Sequence, residues 1–145
     1  MLIDTQLLMS DAQAVTSTGD TASTNIIDLG ASRDVGPGSE LDVIVTVNEG
    51  VASAGAATVT FKVQTDDNSG FSSPTDLMVT GAIGKASLPQ GAMPVRIKLP
   101  PGVERYLRVV YTVGAAALTA GKFTAFLTSE QVDSWRVYPN NYDVA

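Results

Sequence analysis

Apolar and polar residues alternate with a period of two through much of this chain, the pattern of strands that bury one face. The longest such run is 104–113, ERYLRVVYTV, preceded by Pro100, Pro101 and Gly102 and followed by Gly114. Leu107, Val109, Tyr111 and Val113 share one face; Tyr106, Arg108, Val110 and Thr112 share the other. The first face suits a core. The second mixes charge, hydroxyl and hydrocarbon, which predicts a central strand offering Tyr106, Arg108 and Val110 to a neighbour.

Stretches 41–47 (LDVIVTV), 58–65 (TVTFKVQT), 95–99 (VRIKL) and 122–128 (KFTAFLT) repeat the alternation. Their inward sets are Val43, Val45 and Val47; Val59, Phe61 and Val63; Val95, Ile97 and Leu99; and Phe123, Ala125 and Leu127. Ile44, Lys62, Arg96, Lys98 and Phe126 then face outward. Shorter strands are predicted at 25–29 and 76–80, while 83–88 fits no single template. Gly19–Asp20 centres a polar turn over 16–24, and Gly36-Pro37-Gly38 marks a loop. Residues 48–57 (NEGVASAGAA) read as a flexible connection and 66–75 (DDNSGFSSPT) as a polar loop. Residues 3–15 read as a short helix or, better, as an extended arm packed on the domain or on a neighbour, because Ser10 and Asp11 interrupt the apolar run.

About eight strands separated by turn signals, with no long helix, predict an all-β chain. The expected architecture is a single-domain β-sandwich of antiparallel strands with Greek-key or jelly-roll connections. Its parts are an N-terminal arm (1–15), the sandwich (16–128) and a C-terminal tail (129–145). A chain of 145 residues suits one domain and buries roughly 70% of its unfolded surface.

Composition narrows the function. Charged residues make up 17% against a typical share of about 25%, with Ala, Thr, Ser, Gly and Val in their place. The net charge is −6, and the nearest thing to a basic patch is Arg96, Lys98, Arg105 and Arg108. Nucleic-acid binding requires phosphate neutralisation, so this balance argues against a nucleic-acid partner. Cysteine and histidine are absent, which removes disulfides, thiol nucleophiles, the usual zinc ligand sets and imidazole catalysis. The N-terminus lacks a basic leader region, and no stretch approaches the roughly 18 apolar residues of a membrane span. The expectation is cytoplasmic synthesis without a membrane partner.

Three groups invite a chemical reading. Asp66, Asp67, Asn68 and Asp76 offer hard oxygen ligands, but Gly70 sits one position early for an EF-hand and no Glu closes the loop. An Asx-rich turn explains them without a metal. Glu40, Asp42, Glu104 and Glu130 are the acids a glycosidase would draw on, and no aromatic residues flank them as sugar platforms. Trp135, Tyr138 and Tyr142 follow the last strand and suit either a cap on the core or an interface. No cofactor is expected.

Five segments recur together in a known family: SDAQAV (10–15), STNIIDLG (23–30), VQTDDNSGFSSPTDL (63–77), LPPGVERYLRVVYTV (99–113) and FTAFLTSEQVDSWRVYPNNY (123–142). In these blocks the chain resembles the capsid cement, or head decoration, proteins of tailed bacteriophages of the Bordetella-phage type. The resemblance implies a jelly-roll domain without catalytic activity. It implies a homo-oligomer, dimer or trimer, on the outer capsid surface of the virion, clamping the major capsid protein after synthesis in the host bacterial cytoplasm. The candidate capsid or subunit contacts are Ile3, Leu7, Leu8, Tyr106, Arg108, Trp135, Tyr138 and Tyr142. The alternative is a carbohydrate- or receptor-binding sandwich module on a phage or cell surface.

Overall fold

Each period-two run forms a strand in the computed structural model, which describes residues 3–32 and 41–129. The strands are β1 (Leu8–Ala14), β2 (Gly19–Ala22), β3 (Ile27–Asp28), β4 (Asp42–Ala52) and β5 (Thr58–Asp66). They continue with β6 (Thr75–Val79), β7 (Ile83–Gly84), β8 (Val95–Lys98), β9 (Tyr106–Gly114) and β10 (Ala120–Thr128). Two 3-10 turns, Thr5–Leu7 and Lys85–Ser87, supply the helical content of the described residues.

One sheet has the order β1-β10-β4-β8; the other runs β2-β9-β5-β6, with β3 beside β9 and β7 beside β5. The pairings nest: β1 with β10, β2 and β3 with β9, β4 with β8, β5 with β6, all antiparallel. A long hairpin wound on itself gives this nesting, which is the jelly roll. Eight strands carry the winding, and the two-residue β3 and β7 are accessories at its rims.

The inward sets meet in one core: Val43, Val45 and Val47 of β4, Val59, Phe61 and Val63 of β5, and Phe123, Ala125 and Leu127 of β10. Leu107, Val109, Tyr111 and Val113 of β9 join them. Three rings bind the sheets together. Phe61 meets Tyr111 and Phe123 edge-on at 5.9 and 5.3 Å, while Tyr111 stacks on Phe123 at 5.2 Å. Such pairs contribute about 0.5–1.5 kcal/mol each beyond their buried area. The Tyr111 hydroxyl needs a partner when buried and finds it at 2.5 Å in the hydroxyl of Ser10 on β1.

Four expectations change. Residues 8–14 are extended and packed on the domain, but as an edge strand of the sandwich itself: they pair with β10, with Met9 in the core and Ser10 fully buried. Ser10, Asp11 and Gln13 give no apolar alternation here; backbone pairing and the Ser10–Tyr111 hydrogen bond hold the strand. Gly19 and Asp20 lie in β2, paired to Val113 and Thr112, rather than in a turn. Strand β4 runs on to Ala52, where Glu49 faces Lys122 across the ladder at 3.1 Å. Val110 is 2% exposed and not available to a neighbour. The reason is Lys62, which sits opposite Val110 on β5 and reaches Asp20 on β2 at 3.4 Å, crossing β9 above it.

Candidate interaction surface

The outer face of the second sheet gathers most of the polar chemistry. In register across β9, β5 and β6 lie Arg108, Gln64 and Asp76. The Arg108 guanidinium donates through Nε and Nη2 to Gln64 Oε1 at 2.9 and 2.8 Å, and Gln64 Nε2 donates to Asp76 Oδ1 at 2.7 Å. On the other side, Thr112 Oγ1 donates to Asp20 Oδ1 at 2.5 Å. That hydrogen bond, with the Lys62 charge beside it, holds Asp20 below its usual carboxylate pKa. Loss of water around the half-buried Arg108 lowers its pKa, although the neighbouring acids oppose the shift. The face is therefore a cross-strand ladder of mutually satisfied groups.

The loop between β5 and β6 folds onto this ladder. Asp66 Oδ1 accepts the Asn68 amide at 3.0 Å and Oδ2 accepts the Ser73 amide at 2.9 Å. Asn68 Oδ1 in turn accepts the Gly70 amide at 2.8 Å. These are turn-closing bonds of the Asx kind, and the amide donors hold Asp66 below its usual pKa, the Asn68 amide foremost. They place Phe71, 7% exposed, under Arg108, whose Cζ lies 4.1 Å from the ring centroid. Phe71 has φ +49°, left-handed backbone that costs a non-glycine residue roughly 1–2 kcal/mol.

Asp66, Asp67 and Glu104 bring carboxylate oxygens within 4.8 Å of one another, whereas Asp76 belongs to the Gln64 pair. Asp66 already spends both oxygens on backbone amides.

The sequence-predicted contacts separate into several environments. Ile3 is exposed at 42%. Leu7 packs against the core, and Leu8 packs on Ile44 and Phe126 at the outer face of the first sheet. Tyr106 is half-buried with the Arg105 guanidinium 5.0 Å from its ring centroid, and Arg105 forms a two-pronged ion pair with Asp28 at 2.8 and 3.0 Å. Trp135, Tyr138 and Tyr142 lie outside the described residues, as do Glu40 and Glu130. The structure thus brings Arg108 and Tyr106 to one face but does not join them to Leu7 or Leu8.

Sequence reasoning missed Phe71, although one aromatic in DDNSGFSSPT was a signal that the loop packs on something. It also missed exposed Ile26, 42% exposed beside an open groove of about 700 Å³ with Gln6, Leu8, Asn25 and Asp28 on its walls. A strand of two residues, Ile27–Asp28, cannot bury both neighbouring isoleucines.

Comparison with curated proteins finds no match. Comparison with protein families matches residues 9–127 to Bbp16, a span that takes in nearly all of β1 and β10 and every strand between them. The chain belongs to the Bbp16 family.

Proposed function

We propose that this protein is a non-enzymatic structural part of a tailed-phage virion, binding the outer surface of the head and stabilising the major capsid protein lattice. The observation that carries the reading is the family match over 9–127, which coincides with the jelly-roll winding. The surface chemistry supports it. Charged groups on the outer face of the second sheet are tied to each other, as suits a rigid contact plate. A protein that binds only the assembled shell stabilises it by mass action. A symmetric homo-oligomer that spans several subunits does so with raised effective affinity. Ile3 is exposed and Leu8, Tyr106 and Arg108 are half-buried, so these described candidates keep surface for such contacts; Leu7 packs on the core instead.

The test is co-sedimentation of the purified chain with expanded heads that lack it, over a concentration series. Saturable binding at a fixed ratio to the major capsid protein is the expected result. Absence of binding to both expanded and unexpanded heads would refute the proposal, and glycan affinity in its place would favour the receptor-binding alternative.

A further inference from the structure

Asn68, Ser69 and Gly70 are exposed at the tip of the loop between β5 and β6, yet the tip is closely held. The Asn68 carbonyl accepts the Phe71 amide at 3.0 Å, closing a β-turn with Ser69 and Gly70 at its centre. The Asn68 amide donates to Asp66 Oδ1 at 3.0 Å, and Asn68 Oδ1 accepts the Gly70 amide at 2.8 Å. A Cβ at Gly70 would come 3.3 Å from that same oxygen. The ring closed by the Gly70 hydrogen bond contains both Asn68 Cγ and the Ser69 nitrogen, so the side chain is folded over the peptide bond that follows it. Among the described residues, the Ser69 amide and Asn68 Nδ2 have no hydrogen-bond partner.

These are the parts of an intramolecular acyl transfer. The Ser69 nitrogen is an unengaged nucleophile and Nδ2 an unengaged leaving group, while the Gly70 N–H is aimed at the oxygen on which negative charge develops. Holding nucleophile and carbonyl in one small ring supplies the proximity such a reaction needs. The other described asparagines are built differently. Asn25 precedes β-branched Ile26, which crowds the attacking nitrogen, and its own amide donates to Met9 O at 2.9 Å. Asn48 lies within β4, whose extended backbone is held against β10, and its Oδ1 accepts the Thr124 hydroxyl at 2.7 Å.

We propose that Asn68 is a site of self-modification, losing its side-chain amide without an enzyme to give aspartate and isoaspartate. The Ser69 nitrogen gives up its proton to solvent base and attacks Asn68 Cγ. A C–N bond forms, the Cγ–Nδ2 bond breaks, and Nδ2 leaves as ammonia with a proton from water. Water then opens the resulting succinimide at either carbonyl, giving aspartate or a backbone routed through the former side chain. Nothing is oxidised or reduced. Either product puts a new carboxylate beside Asp66 and Asp67. Isoaspartate also lengthens the backbone of the turn that seats Phe71 under Arg108.

The full chain is aged at mildly alkaline pH, digested with trypsin and read by mass spectrometry. Cleavage after Lys62 and Lys85 isolates 63–85, where Asn68 is the one asparagine, and cleavage after Arg33 and Lys62 isolates 34–62, which holds Asn48. Conversion several-fold faster at Asn68 than at Asn48 or Asn25, with isoaspartate among the products, is the expected result. Ageing in urea that unfolds the chain should not speed it, because the folded turn assembles the reacting groups. Ser69→Pro removes the attacking N–H at a turn position that proline favours. It should abolish conversion and keep the urea midpoint that the aged parent chain loses. Conversion at Asn48 as fast as at Asn68, or several-fold faster at Asn68 in urea than in the folded chain, would overturn the proposal. So would conversion that survives Ser69→Pro.

Discussion

Phe71 tests whether a left-handed residue is held in place by its ring. The side chain is 7% exposed with the Arg108 guanidinium above it, while its own φ is +49°. Burying a Phe contributes about 1.5–3 kcal/mol, and a cation–π contact at a half-exposed site about 0.5–1 kcal/mol. Against these stands a backbone cost of roughly 1–2 kcal/mol. Phe71→Ala removes the ring and keeps the backbone cost, for a loss of about 2–4 kcal/mol. Phe71→Gly removes the same ring but releases most of the strain, because glycine adopts positive φ freely. The glycine variant should therefore be the more stable of the two by about 1 kcal/mol. Urea unfolding at equilibrium, followed by far-UV circular dichroism, reads both values provided the m-value is unchanged. An alanine variant as stable as the glycine variant would refute the strain argument. An alanine variant indistinguishable from the parent would refute the packing argument.

Ser10→Ala leaves the Tyr111 hydroxyl buried without a partner and should cost about 1–3 kcal/mol; adding Tyr111→Phe should recover part of that loss in the same unfolding assay. Burial pushes Tyr111 up to about 12 despite the Ser10 hydrogen bond, above the roughly 10 of an unfolded tyrosine. The native state thus keeps its proton longer, so this contribution is whole below about pH 10 and fades as pH rises towards 12. An absorbance titration should show one of the four tyrosines ionising last, and Tyr111→Phe should remove that step. The hydrogen bond from Arg105, first among its causes, lowers Asp28 to about 2. Its contribution is present above the ordinary carboxylate range and is lost as pH falls towards 2. In an NMR pH titration, Arg105→Met should return the Asp28 carboxyl towards its usual range, and an unmoved titration would refute the pairing.

The strands that build the core were readable because each has a hydrophobic side to declare. Val43, Val45 and Val47, or Phe123, Ala125 and Leu127, recur at period two and arrive inward as that period requires. β1 and β2 gave no such signal. SDAQA and GDTA are held at sheet edges by backbone ladders, which every residue type can make, and in β1 by a hydroxyl pair 101 residues apart. Burial on the outer faces was equally hidden. Val110 is covered by a lysine stem from another strand, and Phe71 by the way Asp66 and Asn68 close their loop. Pattern shows which side of a strand is apolar. It does not show which polar side chains will lean across a neighbour.

The pairing of β1 with β10 has a consequence for how the molecule comes into being. Leu8 faces Phe126, so among the described residues the first strand pairs with the last. Bringing such distant segments together costs roughly 4 kcal/mol of loop-closure entropy before any contact repays it. Folding should be slow, as for other β proteins dominated by remote pairings. During synthesis β1 has no native edge to join until residues 120–128 have emerged. A ribosome that stops before residue 120 yields a sheet lacking its second strand, with Phe61 and Tyr111 deprived of Phe123. Such an incomplete chain presents open edges and apolar surface to proteases and chaperones, so quality control over this protein is built into its winding.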